Sequence, residues 1–398
     1  MRPILVDLAA APPEACDCAL DELFKAMSVG PTTSPAIWRR HENPYLAPLV
    51  EDVTRRGQAI ALAAQDHLAE LLTGDAMGAL QKAALPGLDW SPEHLAQVKF
   101  HLETLPPSQW TLDDYMLAAD YIIQRYLPAG AIQTEADYLT VRATLLGKIE
   151  AQMEPSRARA ARFNAEQAEA LAQLLPASWR GVPPRVLNPV EMRVLEFARA
   201  NAAQHMTATT DQLRNRIKGV ILQHVQAMVF GQREGTTARL QTALFDSFGQ
   251  FNRDWRRVAV TETGEASGQG YVAAQPVGAR LRRVEAYEGA CDWCRSIDGK
   301  VFTVVAPNDP NRNGDTQVWV GKTNVGRSAA PRKRTPDGLV EREPEEMWWP
   351  AAGAQHPHCR GGWQMVRDDP RQPPPGVSRE FATWLDDAIK ASRRPAPA

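Results

Sequence analysis

The sequence predicts a mainly α N-terminal region followed by a small α+β C-terminal module. Three observations predict it. Apolar residues recur at helical spacing through most of residues 51–248, a proline-dense stretch at 176–189 interrupts them, and beyond Trp255 glycines become frequent and short β-type runs appear. The 398 residues are enough for two or three domains.

Composition narrows the class. A hydrophobic fraction of 44% with 23% charged residues belongs to a globular chain and excludes wholesale disorder. Lys plus Arg number 45 against 47 Asp plus Glu, a net charge of −2, which excludes a uniformly basic nucleic-acid coat but leaves room for a local basic patch. Five cysteines, an odd number in a long chain, argue against a disulfide-stapled secreted scaffold. The 31 prolines exceed usual usage of about 5% and are expected in linkers, turns and extended arms. The N-terminal apolar run is cut short by Asp7, where a signal peptide needs roughly 7–15 apolar residues. No stretch reaches the roughly 18–20 uncharged apolar residues of a membrane span. A reducing cytosol, or something assembled there, is the expected location.

Residues 1–45 read as an irregular N-terminal arm with a short helix near Cys16; Cys16 and Cys18, two apart with no histidine nearby, read as free thiols. Residues 46–180 read as a helical domain. Its first apolar run, including Ile60, Leu62, Leu68, Leu71 and Leu72, is punctuated at Gly74 and Asp75. Ser91 before Pro92 opens a helix to about Leu105, and Thr111 with Asp114 opens another through Tyr126, which Pro128 ends. Residues 134–175 read as one or two helices with a break at Pro155.

After the 176–189 linker, residues 190–254 read as long helices with an interruption near Thr207 and Thr210. Leu213, Ile217, Val220, Ile221, His224, Val225 and Met228 share one face there, where His224 reads as a core or interface histidine. Such amphipathic helices suit docking against partner helices. Residues 255–370 form the α+β module, with strands expected at 281–287, 300–305 and 317–320 and a polar insertion at 307–350. Residues 371–398 read as a Pro-rich tail with one short helix at 379–391.

The module carries the chemistry. Cys291 and Cys294 form a C-x-x-C, and His356-Pro357-His358-Cys359 forms a second knuckle. Thiolate and imidazole are the ligands tetrahedral zinc prefers, and a structural site takes four of them. Cys291, Cys294, Cys359 and His356 supply such a set, with His358 as the alternative histidine. A pair on one turn is pre-positioned for an ion, and a distant second pair closes the loop. The module thus reads as zinc-stapled, with zinc a structural cofactor. Other readings compete. A thioredoxin-like pair wants a βαβ context, whereas Asp298-Gly299 points to a hairpin. A zinc deaminase needs an upstream H-x-E that this chain lacks. A Cys/His hydrolase with Cys294 or Cys359 as nucleophile would lack an orienting third group.

These residues also carry a family resemblance. The run from Val260-Thr261-Glu262-Thr263-Gly264 to Gly268-Gln269-Gly270, then Val284-Glu285-Ala286-Tyr287, then Cys291 through Phe302, then His356-Pro357-His358-Cys359-Arg360 resembles the phage head-morphogenesis family, the minor head proteins similar to protein F of phage Mu. The family pattern is a Thr-Glu helix, a C-x-x-C followed by Asp-Gly and a strand, and a closing His-Pro-x-Cys-Arg-Cys. The resemblance covers about residues 255–367. Two positions depart from it: Gly361 stands where the family has its last cysteine, and Val260 where an arginine is often found. The first leaves a histidine to complete a zinc set, and the second argues for a helix-surface or packing role of Glu262 over a catalytic one.

The insertion holds two further features. Asp309, Asn311, Asn313 and Asp315 match the opening of a calcium loop, but Val320 stands where a bidentate Glu is required, so an Asn/Gly/Pro turn is the better reading. Lys322, Arg327, Arg332, Lys333 and Arg334 form a basic run that could contact DNA phosphates, beside an acidic stretch at 341–346 that could neutralise it.

The resemblance implies a minor capsid protein of a tailed phage or prophage, acting at the portal or procapsid interior during head assembly and DNA packaging. Its implied partners are the portal protein, scaffold or major capsid protein, and its implied locations the virion and the host cytoplasm. No catalytic residue is required for that role. The alternatives are an ADP-ribosyltransferase-like effector or metal-dependent nuclease, for which no second carboxylate cluster stands near the knuckles, and a zinc-stabilised DNA-binding protein.

Overall fold

The computed structural model describes residues 43, 45–73, 90–153, 174–232, 235–285, 287, 290–328, 330, 332–336, 338–366 and 379–392. The predicted N-terminal arm with Cys16 and Cys18, and the breaks at Gly74-Asp75 and Pro155, lie outside these residues.

Polar caps set the helix starts. Helix α1 (Leu46–Thr73) begins where the Asn43 side chain accepts the Leu46 N–H. Ser91 caps α2 (Pro92–Thr104) by accepting the His94 N–H. Thr111 and Asp114 form the expected reciprocal capping box on α3 (Leu112–Tyr126). Helix α3 ends at Tyr126 as the sequence suggests, but its successor starts earlier than residue 134, directly after Pro128. The Pro128 carbonyl accepts the N–H groups of Ala131 and Ile132, so α4 (Ala129–Met153) starts directly behind it. Asn188 and Glu191 box the start of α5 (Pro189–Val229).

Two predicted breaks are absent. Helix α5 runs through the threonines at 207–210 without interruption, and the buried Thr209 and Thr210 hydroxyls are satisfied within it by the carbonyls of His205 and Met206. Helix α6 (Thr237–Ala273) runs through the expected 254/255 domain boundary. Trp255, 1% exposed at mid-helix, donates its indole N–H to the Val53 carbonyl of α1, so the residue that marks the change in sequence texture is a core anchor. The 176–189 linker likewise joins what it was expected to divide. Val186 and Leu187 are buried in it, and Lys148 of α4 meets Glu191 of α5 at 2.7 Å in a buried ion pair while donating to the Val186 carbonyl.

One apolar core therefore runs from Leu46 of α1 to Val260 and Ala266 of α6, and it also takes in Phe381 and Leu385 of the C-terminal helix α8 (Arg379–Ser392). The stripe of Leu213, Ile217 and Ile221 is spent on this core, so it is not free for partner helices; His224 is buried on it as expected. Helices α4 and α6 cross in close contact. A Cβ on Gly147 would stand 2.0 Å from the Ser267 carbonyl oxygen, and one on Gly270 would stand 2.4 Å from that of Thr144. Among the described residues, no helix is long and apolar enough to cross a membrane.

The C-terminal module is a small sheet with helical additions. Strands β1 (Arg280–Val284), β2 (Val301–Val304), β3 (Gln317–Val318) and β6 (Gly362–Val366) assemble in the order β3-β2-β1-β6, with β1 antiparallel to β2 and β6 and with β2 parallel to β3. Helix α7 (Asp292–Ile297) lies between β1 and β2. The insertion contributes an unforeseen hairpin, β4 (Arg332–Thr335) with β5 (Gly338–Glu341). Leu281, Phe302, Val318 and Trp363 pack against Tyr271 and Val272 of α6 and Ala151 of α4, which seats the sheet on the end of the bundle. The calcium-like segment forms turns: Asp309 and Asn313 spend side-chain oxygens on the N–H groups of Asn311 and Asp315.

Candidate metal centre

Cys291 is the N-cap of α7, and its sulfur accepts the Cys294 N–H at 3.5 Å. The first helical turn thereby places both sulfurs on one side. The helix ends at Asp298, whose carboxylate accepts the Glu285 N–H, and Gly299 turns the chain into β2 with φ +75°, a conformation suited to glycine. The expected Asp-Gly turn thus ties the first knuckle to β1.

Helix α6 positions the second knuckle. The enclosed Glu265 carboxyl accepts the Ala354 N–H, and a Cβ on Gly268 would lie 2.4 Å from the Ala352 carbonyl oxygen, so the loop before His356 rests directly on the helix backbone. His356 then brings Nε2 to 3.1 Å from Cys294 Sγ and 3.4 Å from Cys291 Sγ. Its Nδ1–H donates to the Pro357 carbonyl, which leaves Nε2 as the ligating nitrogen. Cys359 is 1% exposed.

The potential ligand atoms of Cys291, Cys294 and His356 lie within 4.8 Å of one another, as do those of Glu285, Cys294 and Cys359. Cys294 belongs to both groups, so the four expected residues surround one buried point and could hold a metal ion. The alternative histidine goes elsewhere. His358 adopts φ +63°, and its N–H donates to Thr261 of α6. Burial, followed by the nearby Arg257, pushes its imidazole down to about 3. Neither ligand group includes it.

The electrostatics suit a cation. Hydrogen bonding from Cys294 lowers the Cys291 thiol to about 4, and Cys359 is likewise lowered, by Cys294 first and with help from Arg283. Cys294, facing both, is raised. Burial opposes charge on His356, yet its bond to Cys291 and the charge of Cys359 hold it up at about 9. Three thiols and an imidazole crowded together share protons that a divalent ion would displace. Three sulfurs and one nitrogen are a donor set that fits zinc.

The sequence reading missed a supporting layer. Arg283, fully buried on β1, bonds Glu285 Oε1 at 2.6 Å and directs an N–H at Cys359 Sγ at 3.6 Å; the Tyr287 hydroxyl lies 3.9 Å from the same sulfur. Burial pushes the Glu285 carboxyl up to about 7. A Cβ on Gly361 would meet that carboxyl at 2.2 Å, so Glu285 occupies the space a side chain at 361 would need. The strand alternation Leu281, Arg283, Glu285 was the available signal: charged residues of opposite sign two apart on the face that Leu281 buries.

Glu262 is not on the helix surface. It is 1% exposed and accepts from His205 Nδ1 at 2.5 Å and from Asn201 at 3.3 Å, a packing role that clasps α5 to α6. The basic run is partly neutralised. Arg332 faces Glu341 at 3.7 Å, Lys333 pairs with Glu346, and Arg327 lies 3.3 Å over the Trp349 ring while donating to the Met347 carbonyl. Lys322 stands near His205 instead, on the side facing α5. Arg334 is exposed.

No family model matches the chain, and no curated protein or solved structure matches it either.

Proposed function

We propose that the chain is a minor head protein of a tailed phage or prophage, docking at the portal or procapsid interior during head assembly and DNA packaging. Zinc held by Cys291, Cys294, His356 and Cys359 staples its C-terminal module. The observation that carries this reading is the convergence of the two knuckles at one buried point, delivered by a Thr-Glu helix in the chain order of the head-morphogenesis pattern.

Held by these four protein donors, a zinc ion would have no coordination position left for substrate and would supply only cross-linking between the loop after β1 and the loop before β6, a structural role. Arg283 and Tyr287 aim donors at the Cys359 sulfur, which stabilises thiolate there. The module's sheet is seated on the α1–α6 bundle through Tyr271, Val272 and Ala151.

The test has two parts. The purified full chain should carry about one zinc per molecule, the content of a single closed four-ligand site, and co-expression with the portal protein of the same phage or prophage should give a complex that survives size exclusion. Metal-free folded protein would overturn the zinc assignment. Absence of any complex with portal, scaffold and major capsid proteins would overturn the head-assembly role.

A further inference from the structure

The three cysteines of the metal centre are not equally sheltered. Cys291 keeps 8% of its surface exposed, whereas Cys294 and Cys359 keep 0% and 1%. Cys359 is enclosed by side chains: Arg283 and the Tyr287 hydroxyl approach its sulfur, and the Glu285 carboxylate oxygens stand 3.9 Å and 4.0 Å from it. A small solute arriving from water therefore meets Cys291 first.

Cys291 has one sulfur beside it. Its Sγ accepts the Cys294 N–H at 3.5 Å across the first turn of α7, and the two sulfurs lie within 4.8 Å of each other. Among the described residues, no group of mutually close ligand atoms holds both Cys291 and Cys359. Two cysteines separated by two residues at a helix start are spaced for a disulfide, the arrangement that dithiol oxidoreductases use. Loss of the metal would not release the loop that carries His356. The Glu265 carboxyl holds the Ala354 N–H, and Gly268 lets the Ala352 carbonyl rest on α6, and neither contact involves a ligand.

We propose that Cys291 is a peroxide-reactive thiol and that the Cys291–Cys294 pair closes to a disulfide that releases the zinc. This rests on the zinc reading above, and the oxidant is hydrogen peroxide. The Cys291 thiolate attacks one peroxide oxygen: an S–O bond forms, the O–O bond breaks, and the hydroxide that leaves takes up a proton as water. The Cys294 thiolate then attacks the Cys291 sulfur: an S–S bond forms, the S–O bond breaks, and the second hydroxide leaves as water. Two electrons pass from the sulfurs to the peroxide. Zinc, left with Cys359 and His356 where a structural site needs four donors, departs as the hydrated ion. A thiol reductant reopens the disulfide by exchange and is itself oxidised, and the module, still seated on α6, takes zinc again.

Peroxide titration of the full chain tests it. A chromogenic chelator reads the zinc, and mass spectrometry of protease digests reads the cysteines. Release of about one zinc per chain is expected, together with a Cys291–Cys294 peptide lighter by two hydrogens and unchanged helical circular dichroism. Dithiothreitol with added zinc should restore the metal. In Cys294→Ala, where Cys291 lacks a neighbouring sulfur, the sulfenic acid should persist and be trapped by dimedone; if that variant fails to fold, the wild-type digest decides. Zinc retained in large excess of peroxide would overturn the proposal. So would a Cys294–Cys359 disulfide, a disulfide from Cys291 to Cys16 or Cys18, or unfolding that dithiothreitol does not reverse. A chain purified without zinc would overturn the zinc assignment instead, and the digest would then show separately whether peroxide closes Cys291 onto Cys294.

Discussion

The Glu265 carboxyl accepts the Ala354 N–H at 2.8 Å, so a helix of the bundle holds the loop that delivers His356 to the cysteines. Burial pushes this carboxyl up to about 7 from an ordinary 4.5. Between those values the folded chain holds a proton that the unfolded chain has lost, so stability falls as pH rises across this window and levels off above it. Glu265→Gln keeps an acceptor for Ala354 without the titration. In urea unfolding, its stability relative to wild type should climb from pH 4.5 to pH 7. A gap that is constant with pH would contradict this account.

Two histidines one residue apart should behave differently. His356→Ala should release zinc and lower the melting temperature, whereas His358→Ala should keep the metal, since the His358 ring is turned toward Arg257. Metal content by plasma emission, read beside thermal melts, distinguishes them. Retention of zinc by His356→Ala would reassign the ligand set.

Close contact between α4 and α6 has an energetic signature. Gly270→Ala places a methyl group 2.4 Å from the Thr144 carbonyl oxygen, and neither backbone can move without disturbing the core. A loss of about 2 kcal/mol is expected from such overpacking, outweighing the alanine's better helix propensity. Gly219→Ala, at a helical glycine with open space around it, is the control and should stabilise.

Lys148 joins three parts of the chain: it pairs with Glu191, donates to Val186, and its ammonium lies 4.5 Å from the centre of the Phe381 ring on α8. Lys148→Ala leaves Glu191 buried without its partner, at a cost of about 3 kcal/mol. Helix α8 should then be clipped faster by limited proteolysis. Lys148→Met with Glu191→Leu should recover much of the stability, and equal loss in the double variant would show that the charges themselves are needed.

What the amino-acid order alone determined was local or compositional. Helix starts at Ser91 and Thr111 follow from capping chemistry within four residues, and the Cys291–Cys294 pair and the Asp298-Gly299 turn follow from spacing on one turn. Donor chemistry was enough to name the three cysteines and a histidine as a set. Other features were decided only by packing between distant segments. Trp255 reads as a boundary until Val53, far earlier in the chain, accepts its N–H, and the 176–189 stretch reads as a linker until Lys148 reaches across to Glu191. His356 was chosen over His358 by the backbone turn at 358 and by Glu265 holding the preceding loop. Glu285 entered the site because Gly361 left its carboxyl room. Ligand type and cap are properties of short stretches, whereas burial belongs to whichever distant segment covers a residue, and that is known only once the chain has folded.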